Sequence, residues 1–193
     1  MMARRLGSIT GALTTLSILT SSASTLPFGV QIYSCTTPEV IAPAFDDGPG
    51  VYSADILDRW SHANLSSLTP TAIRNEMTLL EDSMLDILGF FPYYMRPPLL
   101  SVNSQALDVL KELEYHVIIG DLNTKDWKYQ AKDTVGEAKQ LFVEGLEKGY
   151  SIVEAHDQEE WTQGELIDYM IGVVRERGIK SEPILTHPLS LRT

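Results

Sequence analysis

The chain has 193 residues, of which 44% are hydrophobic and 21% are charged, an ordinary composition for one globular domain with a sizeable core. Its formal net charge of −11 argues against a nucleic-acid or anionic-membrane partner. The charge is compatible with neutral or cationic ligands but selects none of them. Cys35 is the only cysteine, so it is either a free thiol or a cysteine whose partner is absent from this chain.

The first 24 residues have the pattern of a secretory signal peptide. Arg4 and Arg5 supply positive charge, residues 6–19 form a short apolar stretch interrupted by threonines, and Ser22-Ala23-Ser24 offers small residues for cleavage. A buried N-terminal helix is the alternative. The stretch is too short and too polar for a comfortable membrane span. We therefore expect an exported mature chain, residues 25–193, without a membrane-spanning segment.

Strands alternate with helices along the rest of the chain. Val40-Ile41-Ala42 predicts a first strand, and Thr69 with Pro70 predicts the start of an amphipathic helix that Gly89 ends. Further helices are predicted after Asn103 or Ser104, after Asp133 and after a Thr162-Gln163-Gly164-Glu165 capping box, and further strands at residues 116–119, 151–153 and 183–185. This alternation indicates βαβ units and a parallel sheet.

Polar residues follow the predicted strands. Asp46 and Asp47 come directly after the first strand, and His156 follows a later one. In a parallel barrel the carboxyl ends of the strands share one rim, so these residues are expected to form one site. Two adjacent carboxylates do not both ionise cheaply without a cation, which argues for a metal on one and a proton-transfer role for the other. A plain Asp-Asp-Gly-Pro turn is the alternative interpretation.

Five segments, in order, resemble the motifs of the NodB-homology polysaccharide deacetylases (carbohydrate esterase family four), especially secreted fungal chitin deacetylases. The segments are Phe45-Asp46-Asp47-Gly48-Pro49, Ser61-His62-Ala63-Asn64-Leu65, Arg96-Pro97-Pro98, Asn123-x-x-Asp126-Trp127, and Ile152-Val153 with His156-Asp157. The resemblance covers most of the chain from Cys35 to Ile184. It implies an α/β fold, a distorted and incomplete parallel (β/α) barrel, and metal-dependent hydrolysis of N-acetyl groups from N-acetylglucosamine polymers.

The resemblance also implies roles for individual residues. Asp46 is expected to be the general base that takes a proton from a metal-bound water, with Arg96 orienting it. His156 is expected to be the general acid, with Asp126 orienting it. The divalent ion, zinc or cobalt, is expected on Asp47 and His62, and a backbone N–H near Leu99 is expected at the oxyanion. The residues expected at the substrate are Pro98, Leu99, Trp127 and Val153.

The chain departs from the family pattern in the second motif. Asp58 stands where the family has another metal-binding histidine, so it is either a third metal ligand or falls there by accident of a junction. Only about a dozen residues separate Gly48 from His62, whereas one βαβ unit needs roughly 30. At least one barrel strand is therefore expected to be absent, and the domain to be shortened near residues 57–60.

A second departure is Glu154, which stands where the family has a leucine lining the acetyl pocket. A charge there would be costly if buried. Two interpretations of the whole chain remain. It is a secreted deacetylase, extracellular or in the cell wall, acting on chitin or another N-acetylated polysaccharide, or it is an inactive carbohydrate-binding remnant or truncated product.

Overall fold

The computed structural model of the chain describes residues 26–46, 61–181 and 191–192. Several sequence predictions lie outside the described residues: the signal peptide at 1–24, Asp47, Asp58, the shortening near 57–60 and the strand at 183–185. In the described parts of the chain, no helix has the length and apolar character needed to cross a membrane.

The helices of the described residues are α1 (Pro70–Leu88), α2 (Ser104–Glu112), α3 (Val135–Glu147) and α4 (Ile167–Glu176). Helix α1 begins and ends where the sequence predicts. The Thr69 side chain accepts the N–H of Ala72, and Gly89 adopts the left-handed conformation, at φ 77°, that ends the helix. Asn103 caps α2 in the same way, by accepting the N–H of Ala106.

The starts of the last two helices differ from the sequence prediction. Helix α3 begins after Thr134 instead of Asp133, and Thr134 makes no side-chain cap. The predicted capping box at residues 162–165 is wrong, because these residues form a π-helical turn, Thr162–Leu166, that leads into α4. The Thr162 hydroxyl donates to the Asp126 carboxylate and is therefore unavailable as a cap.

Parallel strands form two small sheets. The strands are β1 (Gln31–Ile32), β2 (Val40–Asp46), β3 (Phe91–Pro92), β4 (Tyr94–Met95), β5 (His116–Ile118), β6 (Leu122–Asn123), β7 (Ile152–His156), β8 (Lys180–Ser181) and β9 (Leu191–Arg192). One parallel sheet has the order β1-β5-β4 and the other has the order β6-β7-β2-β8, while β3 and β9 pair antiparallel. Among the described residues the strands do not close into a barrel. This open arrangement agrees with the incomplete barrel that the sequence predicts.

The pairing of β2 with β7 is the most extensive in the molecule's described part, running from Ala42 opposite Ile152 to Asp46 opposite His156. Pro43 lies within β2 and has no N–H to contribute. The N–H of Ala42 donates to Ser151 of the β7 side, so the nitrogen of the next residue faces away from β7. On that side β8 pairs only with Val40 and Ile41, and Pro43 removes no ladder hydrogen bond.

Two apolar cores hold these elements together. The first lies beneath α1 and α2 and contains Ile73, Met77, Leu110, Val117 and Tyr115. The second joins the larger parallel sheet to α3 and α4 and contains Ile41, Leu122, Phe142, Val153 and Leu166. Burial of these side chains fixes the strands, and the residues that follow the strands are positioned as a consequence.

Replacing Ile73 with alanine tests the first core. The Ile73 side chain is fully buried, and its loss leaves a cavity, so we expect Ile73→Ala to lower the free energy of unfolding by about 2–5 kcal/mol. Leu79 lies on the same helix but is 50% exposed, so Leu79→Ala is expected to change it by about 0.5 kcal/mol at most. Urea unfolding measures both values, and equal losses would contradict the assignment of the core.

Candidate active site

A cavity of about 610 Å³ lies where β2, β4, β6 and β7 end. We refer to it as the strand-end cavity. Its lining residues are Phe45, Asp46, His62, Arg96, Pro97, Pro98, Leu99, Leu100, Asn123, Trp127, Glu154 and His156. Segments that are up to about a hundred residues apart in the sequence therefore meet around one space, as expected for parallel strands.

Asp46 is held by Arg96. Nη1 of Arg96 lies 2.5 Å from Oδ1 of Asp46, and the arginine side chain is only 8% exposed. The second guanidinium nitrogen of Arg96 donates to the carbonyl of Val153 at 3.4 Å. Gly120, at φ 89°, has no room for a side chain, because a Cβ there would lie 2.9 Å from the carbonyl oxygen of Ile152 and 3.3 Å from Nη2 of Arg96. The ion pair favours the charged form of Asp46 and fixes its orientation.

His156 is held by Asp126. Nδ1 of the imidazole lies 2.8 Å from Oδ1 of Asp126, and the other carboxylate oxygen accepts the backbone N–H of His156 at 2.6 Å. Thr162 adds a third hydrogen bond to this carboxylate, at 2.8 Å. Asp126 is buried behind the histidine, so its hydrogen bonds determine which way the ring faces.

These contacts shift both pKa values. The hydrogen bond that His156 donates to Asp126 raises the pKa of His156 to about 9, although burial of the ring acts in the opposite direction. Burial acts to raise the pKa of Asp126, but the hydrogen bonds from His156 and Thr162 outweigh it and lower that pKa below its ordinary value. In the absence of a bound ion, His156 therefore carries a proton at neutral pH and Asp126 is ionised.

Glu154 also faces the strand-end cavity. Its side chain is buried, with 7% of the residue exposed, and Nδ2 of Asn123 donates to Oε2 at 2.7 Å. Burial raises the pKa of Glu154. The sequence indicated that a buried charge at this position would be costly, and the structure places the carboxyl group in the cavity wall with one amide donor supporting it.

The open side of the cavity carries exposed and strained residues. Leu99 and Trp127 are 70% and 55% exposed, respectively. His62, Leu99 and Leu100 have φ angles of 50°, 57° and 54°, a region that side-chain-bearing residues rarely occupy. Backbone strain of this kind is typical of functional sites.

The structure brings most of the predicted site residues together. Asp46, His62, Arg96, Pro98, Leu99, Trp127 and His156 line the cavity, and Asp126 lies directly behind His156. Asp47 and Asp58, the other expected metal ligands, lie outside the described residues. For the residues in the cavity, the grouping agrees with the single rim expected from parallel strand ends.

Val153 requires a correction. The sequence analysis expected it at the substrate, but its side chain is 1% exposed and packs in the second core. Successive residues of a strand face opposite sides of the sheet, so Glu154 and His156 face the cavity while Val153 and Ala155 face the core. Only the carbonyl of Val153 contributes to the site, by accepting from Arg96.

Sequence reasoning missed the supporting contacts of Asn123 and Thr162, and it treated Glu154 only as a departure from the family pattern. The period of two along β7 places Glu154 on the same face as His156 and could have identified it. Asn123 was noted only as part of the fourth motif. No local pattern links Thr162 to Asp126, which is 36 residues away in the sequence.

The sequence profile described as polysaccharide deacetylase matches residues 59–118. The chain is 30% identical to a chitin deacetylase of Pestalotiopsis sp., over 93% of this chain and 74% of that protein. The chain belongs to the polysaccharide deacetylase family. A probable peptidoglycan-N-acetylglucosamine deacetylase of Arthroderma benhamiae is 31% identical to this chain, over 81% of this chain and 45% of that protein.

A solved structure of the family also matches. The chitin deacetylase from the fungal pathogen Colletotrichum lindemuthianum superposes with a TM-score of 0.74 at 25% identity, over 82% of this chain and 91% of that one. The match confirms the α/β fold of the deacetylase type that the sequence predicted.

Deacetylases of this family generally depend on a divalent metal, and the strand-end cavity has donors that fit one. Asp46, Glu154 and His156 each offer one ligand atom, and these atoms lie within 4.8 Å of one another. Carboxylate oxygen and imidazole nitrogen are both ligands that zinc accepts. His62 brings a second imidazole to the same cavity.

Replacing Asp126 with asparagine tests the cause of the raised His156 pKa. In the metal-free protein we expect Asp126→Asn to lower this pKa from about 9 toward the ordinary value of about 6.5, because the charged acceptor is lost. Titration of the His156 ring by NMR measures it directly. A variant pKa that stays near 9 would show that Asp126 is not the cause.

The same shift sets the pH dependence of stability. The pKa of His156 is higher in the folded protein than in the unfolded chain, so the pairing stabilises the fold fully below about pH 6.5 and loses this effect as the pH rises through about 9. The stability advantage of the wild type over Asp126→Asn is therefore expected to shrink across that interval in urea unfolding series.

Proposed function

We propose that the chain hydrolyses N-acetyl groups on N-acetylglucosamine polymers of the chitin type, releasing acetate and leaving an amine. The observation that carries this proposal is the juxtaposition of two supported proton-transfer groups. Asp46, paired with Arg96, and His156, paired with Asp126, lie opposite each other in the β2–β7 register at one cavity. Amide hydrolysis needs a base for the attacking water and an acid for the leaving amine.

Asp46 is the proposed general base. A base must be ionised and oriented before it can accept a proton, and the Arg96 ion pair supports both conditions. Arg96 is itself held by the carbonyl of Val153, so its guanidinium group is not free to swing away from the carboxylate.

His156 is the proposed general acid. Its pKa of about 9 keeps it protonated at neutral pH, and the Asp126 bond occupies Nδ1. The other ring nitrogen is then the one that delivers a proton to the leaving nitrogen. The acid and the base are thus separate groups, each held by its own partner.

The proposed ion is zinc or cobalt, held by Asp47, His62 and Asp58, of which His62 is the one described. When bound, a divalent ion supplies positive charge that polarises the amide carbonyl and makes water easier to deprotonate. The donor chemistry of the cavity suits such an ion, as described above.

The substrate side of the proposal concerns the open part of the cavity. The exposed Trp127 ring and Leu99 side chain offer apolar surfaces on which a sugar ring could rest, and Pro98 supports the same wall. The net charge of −11 suits a neutral polysaccharide better than an anionic one. The signal-like pattern of the first 24 residues and a polysaccharide substrate together support secretion, with action outside the cell or in the cell wall.

The two pairs favour catalysis over the alternative of a sugar-binding remnant. A binding protein would need neither the Asp46–Arg96 pair nor the Asp126–His156 pair in the cavity wall. Each pair instead directs a titratable group into the cavity, which is the arrangement that proton transfer requires.

Acetate release from chitin oligomers, with zinc or cobalt added, tests the proposal. We expect release by the wild type and a loss of about 10²-fold or more in kcat for Asp46→Asn and for His156→Gln. Asp108→Asn is the matched control, because Asp108 is exposed on α2 and does not line the strand-end cavity. Its rate is expected to equal that of the wild type.

Three outcomes separate the parts of the proposal. No acetate with either metal would refute the deacetylase function. Release from peptidoglycan but not from chitin oligomers would keep the reaction and overturn the substrate. Undiminished activity of Asp46→Asn would overturn the assignment of the base.

A further inference from the structure

Glu154 is the buried acidic residue of the strand-end cavity that the proposed acid–base chemistry does not use. It lies on β7 between the core residues Val153 and Ala155, and its carboxyl group lines the cavity beside that of Asp46. An apolar residue would be cheaper in this buried position, so the carboxyl group needs a physical reason.

The surroundings of Glu154 are those of a metal ligand. Its ligand atom lies within 4.8 Å of ligand atoms of Asp46 and His156, close enough for one ion to touch it from the same space. The hydrogen bond from Asn123 leaves the carboxylate fixed in orientation. Such outer contacts orient ligands in metal sites.

Asp46, Glu154 and His156 each have a supporting hydrogen bond of this kind. Arg96 holds Asp46, Asn123 holds Glu154, and Asp126 holds His156, each at 2.5–2.8 Å. The cavity wall is therefore organised before any ion arrives.

A cation beside Glu154 would also balance charge in the cavity. Asp46 and Glu154 present two carboxyl groups to one cavity, and Arg96 pairs with Asp46. Within the described ranges, 26–46, 61–181 and 191–192, Glu154 forms no ion pair with a lysine, arginine or histidine. A divalent ion next to Glu154 would neutralise the second carboxylate.

We propose that Glu154 supplies a carboxylate ligand to the divalent ion of this cavity, which it lines together with His62. The inference rests on the proposed function, since it concerns the ion which that function requires. It assigns to this chain a cavity-wall ligand from β7, where Asn123 holds it in place.

Zinc titration of the metal-free full chain by calorimetry tests the inference without any measurement of activity. We expect Glu154→Gln to weaken zinc binding by about 10-fold or more, because the amide keeps the shape of the side chain and loses its charge. Glu165→Gln is the matched control: Glu165 pairs with Lys139 outside the cavity, and this variant is expected to bind zinc as the wild type does.

A second variant covers the case in which Glu154→Gln does not fold. Asn123→Ala leaves the carboxylate in place but removes its anchor, and we expect zinc binding to weaken by about 10-fold. Thermal unfolding followed by circular dichroism establishes that each variant is folded before titration.

The outcomes distinguish this inference from the proposed function. If the wild type binds zinc and both variants bind it equally tightly, Glu154 is not a ligand, while the proposed function stands. If the wild type binds neither zinc nor cobalt, the metal-dependent function and the inference both fail. Weaker binding by the two cavity variants and unchanged binding by Glu165→Gln would support the assignment.

Discussion

The hydrogen-bonded pairing of β2 with β7 is the constraint on which the site depends. Its register sets Asp46 opposite His156, so the proposed base and acid are neighbours at one edge of the sheet. A slip of one residue would turn every side chain of a strand to the opposite face and would exchange Glu154 and His156 for Val153 and Ala155. The second core prevents such a slip, because Val153 and Ala155 are buried against α3 and α4. Packing on one face of β7 thus fixes the chemistry on the other.

Charged groups in the wall of the site are paired with groups of opposite charge. The two proton-transfer groups are each paired with a partner of opposite charge, and both partners, Arg96 and Asp126, are more deeply buried than surface ion pairs usually are. These pairs explain why Asp46 and His156 can occupy a partly buried wall. Glu154 is supported by an amide instead of a cation. A divalent ion bound by Glu154 would complete the compensation and would give this deacetylase a ligand close to its acid and base. Metal binding would then explain why a carboxyl group is buried at this position.

The sequence was informative where local physics decides the structure. The Thr69 cap, the Gly89 terminus and the hydrophobic period of α1 needed no tertiary contact, and they were confirmed. The order of the polar segments after the strands correctly indicated one rim. The two-residue strands β1 and β6 were not predicted, because their pairing depends on partners far along the chain and their own sequences carry almost no period. Thr162 has a good capping sequence, yet its hydroxyl is more strongly engaged by a buried carboxylate. Val153 was assigned to the substrate from its motif alone, although alternation along β7 directs it into the core.

An anomalous difference map from crystals grown with zinc and acetate would test the central claim most directly. The account predicts one zinc peak in the strand-end cavity, with a carboxylate oxygen of Glu154 in its coordination shell and an acetate molecule between Asp46 and His156. A zinc peak elsewhere on the protein, or acetate bound away from the two proton-transfer residues, would contradict it.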